Sequence, residues 1–177
     1  MNRRASFVAA LLLFSFSAWA QMAPKPGPEV KKLDYFVGTW TSEGTVAPGP
    51  WGAGGKFTST DASEWMPGNF FVVTHSEYKM PAEVGGDGKE MSVMGYDTQQ
   101  NTYIDDDFNS EGEHELWKGT VSGDAWTWTG EANYGGQDIK QKLTFKILSP
   151  TSYSTKLETS LDGTNWLTFM EGKATKK

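Results

Sequence analysis

A chain of 177 residues with 16 Lys and Arg against 22 Asp and Glu carries a formal charge of −6, which argues against nucleic acid or an anionic membrane surface as partner. It has no cysteine, so thiol chemistry, disulfides and thiolate metal sites are excluded. Its only arginines, Arg3 and Arg4, stand at the start, so the rest of the chain lacks the planar fork that grips phosphate or carboxylate bidentately, and highly phosphorylated substrates are disfavoured.

Residues 1–20 read as a signal peptide: Arg3 and Arg4 give a charged start, Phe7 to Phe16 is apolar, and Ala18-Trp19-Ala20 has the A-x-A form of a cleavage site. The apolar run is about half the roughly 20 residues a membrane span needs, and no later stretch is long enough either, so no membrane span is expected. Removing these residues leaves 157 (177 minus 20), with 14 Lys against 22 acids, or −8. That length suits one domain with a sizeable core. The expected protein is therefore exported, to the periplasm or the medium.

Residues 21–30, with Pro24, Pro26 and Pro28, form an extended leader, and a helical turn or two is expected from about Pro28 to Phe36. The domain then occupies residues 31–177. Leu33, Phe36 and Val37 recur at helical spacing, whereas from Trp40 onward apolar and polar residues alternate, so the period changes from about 3.6 to about 2 near Gly38. Turn signals such as Pro67-Gly68-Asn69, Gly85-Gly86-Asp87-Gly88, Ser122-Gly123-Asp124 and Asp162-Gly163-Thr164 follow at intervals of about ten residues, the mark of consecutive antiparallel hairpins. Ten strands are predicted, near 39–46, 56–65, 70–80, 90–97, 101–109, 113–121, 125–132, 139–148, 152–160 and 165–173. Closing them into a barrel removes the edges that an open meander of this length exposes. The fold class is all-β: a roughly ten-stranded antiparallel barrel with a short N-terminal helix.

Three strands have a readable orientation. Ile139, Leu143, Phe145 and Ile147 share one face against Lys140, Lys142 and Lys146, so the apolar set points inward. Phe70, Val72, Thr74, Ser76 and Tyr78 are uncharged and are placed inside, opposite His75, Glu77 and Lys79. Ile104 and Phe108 fall in phase with Asp106, which is expected to be an internal acid.

Gly38-Thr39-Trp40 after a short helix, followed by the meander, is similar to the calycin group of barrels. More specifically, LDYFVGTW (33–40), WMPGNFFVVTHSEY (65–78) and MGYDTQQNTYIDDDFNSEGE (94–113) resemble, in order and spacing, the bacterial domain of unknown function 1579, over roughly Leu33 to Lys173. That resemblance implies a calycin-like barrel, related in outline to lipocalins and nitrobindins, with no established activity and no catalytic residues to transfer. Lipocalins set a late basic side chain against the G-x-W tryptophan, which implies a floor of Gly38, Trp40 and Lys173. Nitrobindin-type barrels bind haem through a histidine late in the chain; the last one here is His114, which counts against haem, and no cofactor is expected.

Of eight tryptophans, Trp126 and Trp128 share one face of a strand; such rings either fill the core or wall a cavity. Read as a wall, they join Tyr78, Met94, Tyr96, Asp106 and Phe108 as ligand-binding candidates. A soft aromatic lining with a few hydroxyls suits a small hydrophobic or amphipathic molecule. The acidic run from Asp105 to Glu115 fails as an EF-hand, having Ser110 at its sixth position and Leu116 at its twelfth. It reads as a solvated hairpin ahead of a weak calcium site at Asp105, Asp107 and Glu111, and no metal is expected. His75 lies in phase with Glu77, the arrangement of a surface salt link. Two other readings stand beside ligand binding: an interaction module with a filled core, and an enzyme using Asp106 with Tyr96 or Tyr78.

Overall fold

The computed structural model describes residues 24–177 apart from 51 and 135; the signal-peptide reading of residues 1–20 lies outside the described residues. Helix α1 (Pro28–Lys31) begins with proline just inside its start, where the missing N–H costs no helical hydrogen bond, and continues as a 3₁₀ turn over Lys32–Tyr35. Ten strands follow: β1 (Gly38–Val46), β2 (Gly55–Trp65), β3 (Val72–Lys79), β4 (Gly88–Asp97), β5 (Thr102–Asn109), β6 (His114–Ser122), β7 (Ala125–Tyr134), β8 (Gln137–Ser149), β9 (Ser152–Ser160) and β10 (Leu167–Lys176). Each pairs antiparallel with its sequence neighbours, and β1 pairs with both β2 and β10, which closes the barrel. All ten predicted strands are present.

The helix closes one end. Leu33 and Phe36 are buried at 0% and 4% exposure, and polar ties hold the cap in place. The Tyr35 hydroxyl donates to the carbonyls of Ser149 and Ser152, at 3.0 and 2.9 Å. The Trp40 indole N–H donates to the Phe36 carbonyl at 2.7 Å, and that of Trp65 to Asp34 Oδ1 at 2.8 Å. Gly38 explains the Gly-x-Trp pattern: its φ of +120° disfavours a side chain, and a Cβ there would meet Lys176 Cε at 2.8 Å. Lys176 passes over that glycine and sets its Nζ 5.3 Å from the centre of the Trp40 ring, a favourable cation–π contact. Lys173, expected in this role, is exposed. Strand β10 runs to Lys176, three residues past its predicted end.

Above the cap, inward side chains form an aromatic plug. Trp40, Trp126 and Trp128 are at most 2% exposed, and Tyr103, Trp117 and Tyr153 join them. Ring centres are 4.8 Å apart for Tyr103 and Trp126, 5.1 Å for Phe36 and Trp126, and 5.0 Å for Trp40 and Tyr153. Each such ring removes about 150–250 Å² from water, about 4–6 kcal/mol of gross burial at about 25 cal/mol per Å². The plug does for this cysteine-free chain what disulfides do elsewhere.

Candidate functional site

The opposite half of the barrel is hollow. There, beyond the plug, a cavity of about 550 Å³ opens to solvent. Its position follows from side-chain size: where the capped end has tryptophan and tyrosine, the inward positions of β2 and β3 in this half carry Ser59, Asp61 and Ser76. The loop between β3 and β4 reaches over the mouth, bringing Glu83, Val84 and Gly85 to the rim.

The two sides of the cavity differ. Phe57 of β2, Ile139 of β8, Leu157 of β9 and Phe169 and Met170 of β10 make an apolar wall. The Phe57 ring lies across the paired glycines Gly44 and Gly172; a Cβ on either would come within 2.5 or 2.8 Å of the ring. Adjacent Phe169 and Met170 both reach the cavity because β10 breaks register between Thr168 and Met170.

The other side is acidic. Glu90 of β4, Asp107 of β5 and Glu115 of β6 line it, with Asp61 of β2 and, at the rim, Glu111 and Glu113. Asp107 is the direct cross-strand neighbour of Glu115 on one side and of Ser92 on the other, a spacing of about 4.5–5.5 Å between Cβ atoms. No Lys, Arg or His lines the cavity among the described residues. Burial, then the charges of Glu115, Asp61 and Glu111, push the Glu90 carboxyl up to about 7. Burial pushes Asp107 far above the ordinary carboxylate range, with Asp105, Glu90 and Glu115 adding to it. Asp105, deeper on the same face, is raised by burial and by Glu90 and Asp106. Asp61 is raised by burial, against hydrogen bonds from Ser76 and Ser59.

Two acceptors in the lining lack a donor: Asp107 Oδ1 and Oε1 of Gln141, whose side chain belongs to a residue only 4% exposed. The Trp117 indole N–H acts on Asp107 but falls short of a well-formed hydrogen bond. Tyr78 also lines the cavity and donates from its hydroxyl to Glu111 Oε2 at 2.9 Å.

The candidates named from sequence separate into three groups. Tyr78 lines the cavity. Met94, Tyr96, Trp126 and Trp128 belong to the plug or pack against it. Asp106 and Phe108, expected inside, face out: the Asp106 side chain is 39% exposed, 3.6 Å from His114 Nε2, and Phe108 is 42% exposed with its ring stacked on His114 at 4.6 Å. The phase of β5 is set by Tyr103, whose ring fills the plug and brings Asp105 and Asp107 inward with it. An enzyme built on Asp106 with Tyr96 or Tyr78 therefore has no shared site. His75 is exposed, and no three described His, Asp or Glu side chains are placed to hold one metal ion.

A larger depression of about 890 Å³ lies over the outer surface near β1, β2 and β10, among Thr41, Thr58, Thr60 and Lys173. It is open to solvent, and its Lys89–Glu77 ion pair is more than 70% exposed on both sides, so it offers a ligand little desolvation.

The family model described as "Protein of unknown function (DUF1579)" matches residues 25–176. The chain belongs to that family. Among solved structures it is similar to Rv2717c from M. tuberculosis, at 12% identity and a TM-score of 0.59, with 85% of this chain and 98% of that one covered. It is also similar to the S-type phycobiliprotein lyase CPES from Guillardia theta, at 9% identity and a TM-score of 0.52, covering 83% and 91%. These likenesses show a shared β-barrel fold. No curated protein matches the sequence. Among the described residues of this DUF1579 chain, no helix is long and apolar enough to cross a membrane.

Proposed function

We propose that this DUF1579 protein is an exported binding protein that holds a small amphipathic molecule in the hollow half of its barrel. One observation carries the reading: a cavity of about 550 Å³ with an apolar wall facing a polar one and an unpartnered amide oxygen on Gln141 in its lining. Such a volume falls in the range of small-molecule sites, and two unlike walls, one apolar and one acidic, suit a molecule with an apolar and a polar end. The phycobiliprotein lyase CPES has a similar fold, a precedent for this barrel in a protein named for a lyase activity. An interaction module needs no hollow interior, so the cavity favours binding over it.

The test is titration with the neutral fluorophore N-phenyl-1-naphthylamine. Saturable one-to-one binding is expected, together with its loss in Leu157→Trp, which fills the apolar wall; fluorescence that never saturates would refute the reading. Export is tested by the intact mass of the protein secreted by a bacterial host, expected to start at Gln21; a chain retaining Met1 would overturn it.

A further inference from the structure

Given that the hollow half holds an amphipathic molecule, we propose that the polar end of that molecule is a cationic nitrogen, a protonated amine or organic ammonium group, received by Glu90, Asp107 and Glu115. The inference rests on the proposed function and adds the charge of the ligand to it.

Three observations converge. Asp107 and Glu115 are cross-strand neighbours on the inner face, with Glu90 on the adjoining strand lining the same space, so any two of them ionised repel each other. No described lining residue supplies a positive charge, although the chain has 14 lysines. The fully buried side-chain atoms of lining residues that lack partners are both acceptors, Asp107 Oδ1 and Gln141 Oε1, and a buried acceptor without a donor is costly. The two orphaned indole N–H groups, of Trp117 and Trp128, belong to the plug. What the cavity lacks is thus a donor that carries positive charge. An ammonium group has both properties and no acceptor of its own to satisfy. The described acids are not gathered in any group of three suited to one metal ion, whereas an organic cation spreads its N–H groups over several partners, and its hydrocarbon part meets Phe57, Ile139 and Leu157.

In the empty barrel protons take the place of that cation. The titratable groups facing the site are Asp61 from β2, Tyr78 from β3, Glu90 from β4, Asp107 from β5 and Glu115 from β6, with Asp105 buried beneath Asp107 on the same face of β5; Glu83, Glu111 and Glu113 stand at the rim. Desolvation and mutual repulsion hold Glu90 and Asp107 above the ordinary carboxylate range. A bound ammonium favours their ionised forms and expels the protons, so binding of a cation releases protons and tightens as pH rises toward 8, while a neutral ligand does neither.

Isothermal titration of the mature protein at pH 8 with octylammonium, octanol and octanoate reads the charge preference on a constant tail. Octylammonium is expected to bind at least tenfold more tightly than octanol, with octanoate weakest. Repeating the titration in two buffers of different ionisation enthalpy should show proton release for the amine alone. The Glu90→Gln, Asp107→Asn double variant should bring the amine-to-alcohol affinity ratio close to one. Octanol binding as tightly as octylammonium, or a ratio unmoved in the double variant, overturns the cation and leaves the amphipathic site standing. Failure of all three to bind overturns both.

Discussion

The substitution Asp107→Asn should stabilise the ligand-free protein, and should do so only above the ordinary carboxylate range of pH. Asp107 titrates near 3.8 when solvated and at about 9 in the folded barrel, because burial and then Asp105, Glu90 and Glu115 oppose its charge. Between these values the folded state binds a proton that the unfolded chain does not. The stability contributed by the raised pKa is therefore complete below about pH 4 and is lost as pH rises toward 9. At pH 7.5 the loss reaches at most about 5 kcal/mol, from 1.36 kcal/mol per pH unit over about 3.7 units. Neighbouring acids that relax when one is removed, and water entering the cavity, reduce this to about 1–3 kcal/mol. Asparagine needs no proton, and its NH₂ donates to the adjacent carboxyls. At about 2–4 °C per kcal/mol for a chain of this size, Tm should rise by about 2–12 °C at pH 7.5 and by less than about 1 °C at pH 4. Thermal unfolding followed by circular dichroism at the two pH values measures it. An Asp107→Asn protein equally destabilised at both would refute the reasoning, as would a native protein whose Tm does not fall from pH 5 to pH 8.

Two further substitutions separate inside from outside. Trp126→Ala should cost about 3–5 kcal/mol in denaturant unfolding, since it empties the plug, whereas Phe108→Ala, on the outer face, should cost less than about 1 kcal/mol; the reverse order would place Phe108 in the core. At the floor, Lys176→Ala should lower stability by about 0.5–2 kcal/mol through loss of the Trp40 contact, while Lys173→Ala stays within about 0.5 kcal/mol. Equal effects would remove Lys176 from the floor.

The strands were legible because each hairpin is punctuated by its own turn residues, and the inward face of β8 because its lysines can point only to water. Gln141 lies on that face between Ile139 and Leu143 and was missed, although one polar residue in an apolar row is the signal that could have found it. The phase of β5 was not legible: Asp105, Asp106 and Asp107 give both faces the same chemistry, and Ile104 and Phe108 outweigh Tyr103 when residues are counted rather than packed. Only the neighbouring strands decide it, through Trp117 beside Asp105 and the Tyr103 ring 4.9 Å from Tyr96. Lys176 was missed for a different reason. The pairing of β1 with β10 carries the last strand to the floor, with Trp40 opposite Lys176 and Lys173 opposite Glu43, and that register depends on closure.

Alternation along a strand reports the face of a residue and nothing about its height in the barrel, yet height separates packing from binding here. Trp117 and Glu115 are two residues apart on the same face of β6; one belongs to the plug and the other lines the cavity. The arrangement has an energetic logic. An enclosure of mutually repelling acids raises the free energy of the barrel, and a small cysteine-free domain tolerates that only where burial elsewhere offsets it. The aromatic plug supplies this burial on the same strands, one or two turns of the pleat away. Because Asp107 Oδ1 and Gln141 Oε1 lack a donor, an occupant that supplies one stabilises the fold as it binds, by RT ln(1 + [L]/Kd). Stability and occupancy are thus coupled through β4, β5 and β6, the strands that contribute both Met94, Tyr103 and Trp117 to the plug and Glu90, Asp107 and Glu115 to the cavity.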